Sequence, residues 1–89
     1  MNELARRHPD AKPGLGAWFH EVEDADWANP AQLKEQCATA SMLKNGRVVF
    51  NVGGNKYHLV VRINYAYRVV YVRFAGTHSE YEQIDAQEI

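Results

Sequence analysis

The sequence predicts an α+β fold: a small, mainly antiparallel sheet of three to four strands packed on N-terminal helices, closed by a short C-terminal helix. Three observations predict it. Leu15, Trp18, Phe19, Val22 and Ala25 recur at three- and four-residue spacings, the period of an amphipathic helix. From Arg47 onward apolar and polar residues alternate, the period of a strand with one buried face. Charge divides along the same line. Residues 41–78 hold no Asp or Glu but carry Lys44, Arg47, Lys56, Arg62, Arg68 and Arg73, while all 11 acids lie in the flanks.

Residues 2–8 read as a short polar helical piece cut by Pro9, since proline cannot donate to a helix interior. The amphipathic helix follows, with His20, Glu21, Glu23 and Asp24 on its outer face. Asn29-Pro30 starts a further helix, Asn as cap and Pro at the first position, ending near residues 38–40. Val48, Phe50 and Val52 then face one way and Arg47, Val49 and Asn51 the other. Gly53-Gly54-Asn55 supplies the positive-φ residues of a tight hairpin. In the next strand Tyr57, Leu59, Val61, Ile63 and Tyr65 form the apolar face, opposite Lys56, His58, Val60, Arg62 and Asn64. Ala66-Tyr67-Arg68 turns the chain. Val70, Val72 and Phe74 are expected inward on the last strand, and Tyr71, Arg73 and Ala75 outward. Thr77 and Glu80 form a capping box for a helix from His78 to about Ile84. The apolar sheet face needs a lid, and the helix bearing Trp18 and Phe19 provides it. The other face is expected to be open and basic.

The 89 residues fit one domain, which at this size buries roughly 60–65% of its unfolded surface. No apolar run approaches the roughly 20 residues of a membrane span. Residues 1–7 are polar, so no secretory leader is expected. The lone Cys37 excludes an intramolecular disulfide and fits a reducing cytoplasm.

An acid-free basic sheet beside acidic helices suggests a polyanionic partner, nucleic acid first. The four His and one Cys show no CxxC, HxxxH or HExxH spacing, so neither a metal nor another cofactor is expected. What remains is Lys56, His58, Arg62, Arg73, His78 and Tyr81. RNA can be cut without a metal if one group deprotonates the 2′-hydroxyl, another protonates the departing 5′ oxygen, and cations stabilise the phosphorane. His and Tyr can move protons; Arg and Lys can hold phosphate. His78 and Tyr81, three apart, share the first turn of the last helix. The outward face adds Arg47, Asn51 and Tyr71 as RNA contacts, with Asn55 from the turn; exposed rings can stack on splayed bases.

These residues lie in motifs with a resemblance. NGRVVFNVGGNKYHLVVRINY followed by VVYVRFAGTHSEYEQID resembles the HigB-type toxins of bacterial type II toxin–antitoxin pairs, within the RelE-like superfamily. HPDA, DWANPAQLK and SMLKNGRVVFN fit as well, so the likeness covers nearly the whole chain. Its two signatures are Phe50-Asn51-Val52-Gly53-Gly54-Asn55 and Gly76-Thr77-His78-x-Glu80-Tyr81. The resemblance implies a small sheet packed on N-terminal helices and ribosome-dependent mRNA cleavage in the cytoplasm. It also implies neutralisation by a HigA-type helix-turn-helix antitoxin, with operator DNA bound only through that antitoxin. It places Asn51, Gly53, Gly54, Asn55, Arg62, Arg73, His78, Glu80 and Tyr81 on family-like positions. The chain departs from the family pattern at His58, commonly Arg, and at Glu82, commonly Asp. The match also begins inside the first helix, without the family's usual N-terminal strand. An edge left unpaired in this way favours self-association or antitoxin pairing. Two alternatives stand beside the enzyme: a toxin of this fold that blocks a target such as DNA gyrase without cutting, and a non-catalytic RNA-binding or interaction module. The His78–Tyr81 pair beside basic residues favours the enzyme.

Overall fold

A computed structural model describes residues 2–53, 56–86 and 88–89. Helix α1 (Asn2–Arg7) stops before Pro9, and one 3-10 turn (Pro9–Ala11) leads into α2 (Lys12–Asp24). Helix α3 (Pro30–Gln36) begins as expected: the Asn29 side chain accepts from the Gln32 backbone N–H at 3.0 Å. It ends at Gln36, before residues 38–40. Strands β1 (Ser41–Met42), β2 (Arg47–Val52), β3 (Tyr57–Asn64) and β4 (Val69–Thr77) form one antiparallel sheet in that spatial order, and α4 (His78–Glu82) closes the fold. The β2–β3 turn opens at Gly53 with φ +63°, which only glycine adopts without strain. Gly54 and Asn55, the rest of the expected turn, lie outside the described residues.

The core lies between the helices and one sheet face. Val48, Phe50 and Val52 of β2 and Tyr57, Leu59, Val61 and Ile63 of β3 are buried against Leu15, Trp18, Trp27 and Leu33. Phe50 is the hub, 5.5 Å from the Trp18 ring edge-on and 6.3 Å from Trp27 nearly parallel. The Trp27 indole N–H donates to Gln36 Oε1 at 2.9 Å, so the ring is buried with its polar atom satisfied. Each fully buried aliphatic side chain such as Leu59 contributes about 1.5–3 kcal/mol.

The structure corrects three expectations and adds one strand. Phe19 is 53% exposed. Leu15, Trp18 and Val22 already fill the helix stripe, and one residue is a 100° rotation, so Phe19 falls at its border. There it lines an apolar groove with Val22, Val70 and Val72. Strand β1 was not visible in the sequence; it pairs Ser41 with Val49 and Met42 with Val48, covering only that part of the β2 edge. The β3–β4 register shifts between Val60 and Val61: Val60 faces Phe74 and Val61 faces Val72, leaving Arg73 as the extra residue. A bulge flips every later side chain to the other face. Ala75 therefore turns inward, opposite Leu59 and packed on the core, while Phe74 goes to the second face. Finally, that second face is not open throughout. Val49, His58 and Val60 are buried on it. Helix α4 packs on β3 and β4, and Arg47 Nε donates to the Ile89 carbonyl at 2.9 Å, drawing the end of the chain toward β2.

Candidate active site

Helix α4 is held by its own start. Thr77 Oγ1 accepts from Glu80 N–H at 3.2 Å, and the Glu80 carboxylate accepts from Thr77 N–H at 3.0 Å. The bonds donated to it by the Thr77 backbone N–H and, at 3.1 Å, by the Thr77 hydroxyl, with Arg7 3.2 Å away, hold the Glu80 carboxyl below its ordinary value. Gly76 permits the close approach: a Cβ there would stand 2.7 Å from the Phe74 ring and 3.1 Å from Glu80 Oε1. The His78 backbone N–H donates to the Lys56 carbonyl at 3.2 Å, tying the helix to the start of β3.

This seating brings His78 and Tyr81 onto His58. Four side chains then run in a line. Asn51 Oδ1 meets His58 Nδ1 at 2.7 Å, His58 Nε2 meets His78 Nδ1 at 2.8 Å, and His78 Nε2 meets Glu82 Oε1 at 2.8 Å. The Tyr81 ring lies 4.7 Å from His58, centroid to centroid. Asn51 and His58 are opposed across the β2–β3 ladder. The Asn51 amide NH₂ points to the Thr39 carbonyl at 3.5 Å, leaving its oxygen for His58. His58 is only 8% exposed. Burial, and then the charge of His78, pushes its imidazole below the ordinary histidine value. His78 and Glu82 are both mostly exposed.

The cations collect at the other end of the face. Arg62, Tyr71 and Arg73, with Asn45, Asn64 and Tyr65, line a groove of about 570 Å³. Arg73 is the bulge residue, re-aimed beside Arg62. Among the described residues neither arginine makes an ion pair, whereas Arg68 is bound to Asp26 at 2.6 Å and Lys56 lies 3.9 Å from Asp10. The Tyr65 hydroxyl is buried with no hydrogen-bond partner among the described residues. His58 and Arg62 are four residues apart on one strand, about 13 Å at 3.3 Å per residue.

The expected site residues thus fall in two groups. His58, His78, Tyr81 and Asn51 meet; Arg62, Arg73 and Tyr71 meet elsewhere on the same sheet face. Lys56 is turned toward Asp10 and Arg47 toward the chain end. Asn55 lies outside the described residues. Sequence reasoning missed the direct His58–His78 contact and the role of Glu82 as a partner. The i, i+4 spacing of His78 and Glu82 was the available signal. Among the described residues no three His, Cys, Asp or Glu side chains converge as a metal-ligand set. No helix there is long and apolar enough to cross a membrane. Cys37 is half-buried, its thiol pushed up to about 11 by burial and Glu21, and so is a poor nucleophile.

Comparison with known proteins gives the class first: residues 11–84 match the RelE-like toxic component of a toxin–antitoxin system. Within that class, the chain belongs to the HigB toxin family. It is 24% identical over 86 residues to the mRNA interferase HigB of Escherichia coli O6:H1 (strain CFT073), covering 94% of this chain and 84% of the relative. It is 27% identical over 84 residues to the mRNA interferase toxin HigB of Escherichia coli strain K12, covering 92% and 81%. The mRNA interferase HigB of Shigella flexneri matches at the same 27% and the same coverage.

Proposed function

We propose that the chain is a ribosome-dependent mRNA endoribonuclease, the toxin of a type II toxin–antitoxin pair that stops translation and growth. One observation carries this reading: the His58–His78–Tyr81 cluster shares a sheet face with Arg62 and Arg73, which have no acidic partner among the described residues. The relatives' names agree with it. His78 and Tyr81 carry proton transfer during attack of the 2′-hydroxyl on the adjacent phosphorus. Arg73 holds the scissile phosphate through its planar fork, and Arg62, about 13 Å from His58 along β3, holds a neighbouring one. Tyr71, 52% exposed, stacks on a base. Arg47, Asn51, Lys56, His58 and Asn55 border the RNA path or support the residues that do. The reaction needs no metal: His78 and Tyr81 move protons, with water as the final acceptor, and Arg62 and Arg73 stabilise the developing charge.

The partner that neutralises the toxin is a HigA-type helix-turn-helix antitoxin, through which alone the pair binds operator DNA, in the cytoplasm. Residues 1–89 act as one RelE-like unit. Strand β1 pairs only with Val48 and Val49; the β2 edge from Phe50 to Val52 is where an antitoxin strand or a second copy would add. The test is mapping of mRNA 5′ ends after induction in translating cells. New ends within translated messages, lost when translation initiation is blocked and lost in His78→Ala, support the reading. Growth arrest without new ends contradicts it.

A further inference from the structure

We propose that His58 is a positioning residue that keeps His78 charged, so that His78 serves as the general acid. This rests on the reading of His78 as a proton-transfer group. The hydrogen bonds of the cluster fix a count of protons. Each of the three contacts in the line Asn51–His58–His78–Glu82, at 2.7, 2.8 and 2.8 Å, needs one hydrogen. The Asn51 carbonyl oxygen and the Glu82 carboxylate only accept, so His58 Nδ1 and His78 Nε2 each carry a proton. A third proton lies between the two rings. Three protons on four ring nitrogens leave the pair with one positive charge. Two protons would set lone pair against lone pair at one contact; four would set N–H against N–H between the rings.

Burial decides which ring holds the charge. His58 is buried and backed by a neutral amide, whereas His78 is exposed and faces a carboxylate. His58 therefore stays neutral with Nε2 accepting, and His78 donates from both nitrogens. The other groups around the pair do not disturb this count. Tyr81 presents its ring to His58. Glu80 is engaged by Thr77 and Arg7. Lys56 offers its backbone carbonyl and turns its amine toward Asp10. Opposite His58 on β4 stands Gly76, which carries no charge.

The step then balances. The 2′ oxygen bonds to phosphorus as its proton passes to water. The bond from phosphorus to the 5′ oxygen breaks, and that oxygen, taking the place of the exposed Glu82 carboxylate, accepts the proton from His78 Nε2. The products are a cyclic phosphate and a 5′-hydroxyl. The pair is left with two protons for three contacts and recovers the third from water.

Imidazole ¹⁵N NMR of the whole chain tests the count directly, without RNA and without a variant. The expected titration shows a plateau with three protons on the pair, His58 Nε2 bare and both His78 nitrogens protonated. Independent titration of the two rings, or charge on His58 first, overturns the proposal. The companion measurement is the pH profile of RNA cleavage. His58→Leu removes the acceptor, so the alkaline limb should move to lower pH. His58→Gln, whose amide oxygen can accept from His78 Nδ1, should restore it. Identical limbs in His58→Leu and the parent chain overturn the positioning role. Undiminished cleavage by His78→Ala overturns the underlying reading as well, which the NMR count distinguishes from failure of the pairing itself.

Discussion

The two ends of one sheet face are built on opposite principles. Around His58 the groups are buried or interlocked, the ring nitrogens of His58 and His78 each have a partner, and helix α4 is fixed over them by its capping box. Around Arg62 and Arg73 the side chains are exposed and, among the described residues, without acidic partners. A proton-transfer group gains from fixed geometry and a set charge. A phosphate-binding group gains from remaining uncompensated until the polyanion arrives, because any acid beside it would compete. Under the proposed function, chemistry falls to the first end and holding to the second.

Removing His78 should have the largest effect. His78→Ala is expected to lower RNA cleavage about 10²–10⁴-fold. Its melting curve should stay close to that of the parent chain, because the side chain is exposed. Unchanged cleavage by a folded variant would erase the distinction between the ends.

The arginines come next. Arg62→Ala should weaken RNA binding and reduce the slope of log affinity against log salt by about 0.7, one single-strand phosphate contact. Arg73→Lys should keep that slope but cut more slowly, by about tenfold, since it keeps the charge and loses the fork. An Arg62→Ala slope equal to that of the parent would remove the groove from the RNA path.

The capping box gives a smaller effect, on stability. Thr77→Val should lower the melting temperature by roughly 5 °C at neutral pH. Because Thr77 holds the Glu80 carboxyl low, its stabilisation is present above the unfolded value of about 4.5 and is lost as pH falls through the lower folded value. Thr77→Val removes only the hydroxyl's share of this, the backbone N–H bond remaining, so the gap between parent and variant should narrow on acidification. Smallest of all, Lys56→Ala should leave the melting temperature nearly unchanged, because its pair with Asp10 is exposed on both sides.

Much of the fold was legible because it rests on local periodicity. Leu15, Trp18 and Val22 mark α2, Asn29-Pro30 marks α3, and Thr77 with Glu80 marks α4. What escaped depends on partners. Two residues are too few to show a strand period, so Ser41–Met42 went unseen. The bulge at Arg73 exists only relative to β3, so the alternation along β4 misassigned Phe74 and Ala75. The site divided in the same way. His78 and Tyr81 on one helix turn could be read from spacing. The meeting of His58 with His78 needs both the hairpin register and the seating of α4, neither of which any local pattern specifies.

Single-turnover cleavage of a ribosome-bound message, followed over a range of toxin concentrations, tests the division of labour most directly. His78→Ala should lower the plateau rate while leaving the half-saturating concentration near the parent value. Arg62→Ala should raise the half-saturating concentration while leaving the plateau nearly unchanged. A His78→Ala protein that reaches the parent plateau, or an Arg62→Ala protein that loses the plateau at unchanged half-saturation, would contradict the account.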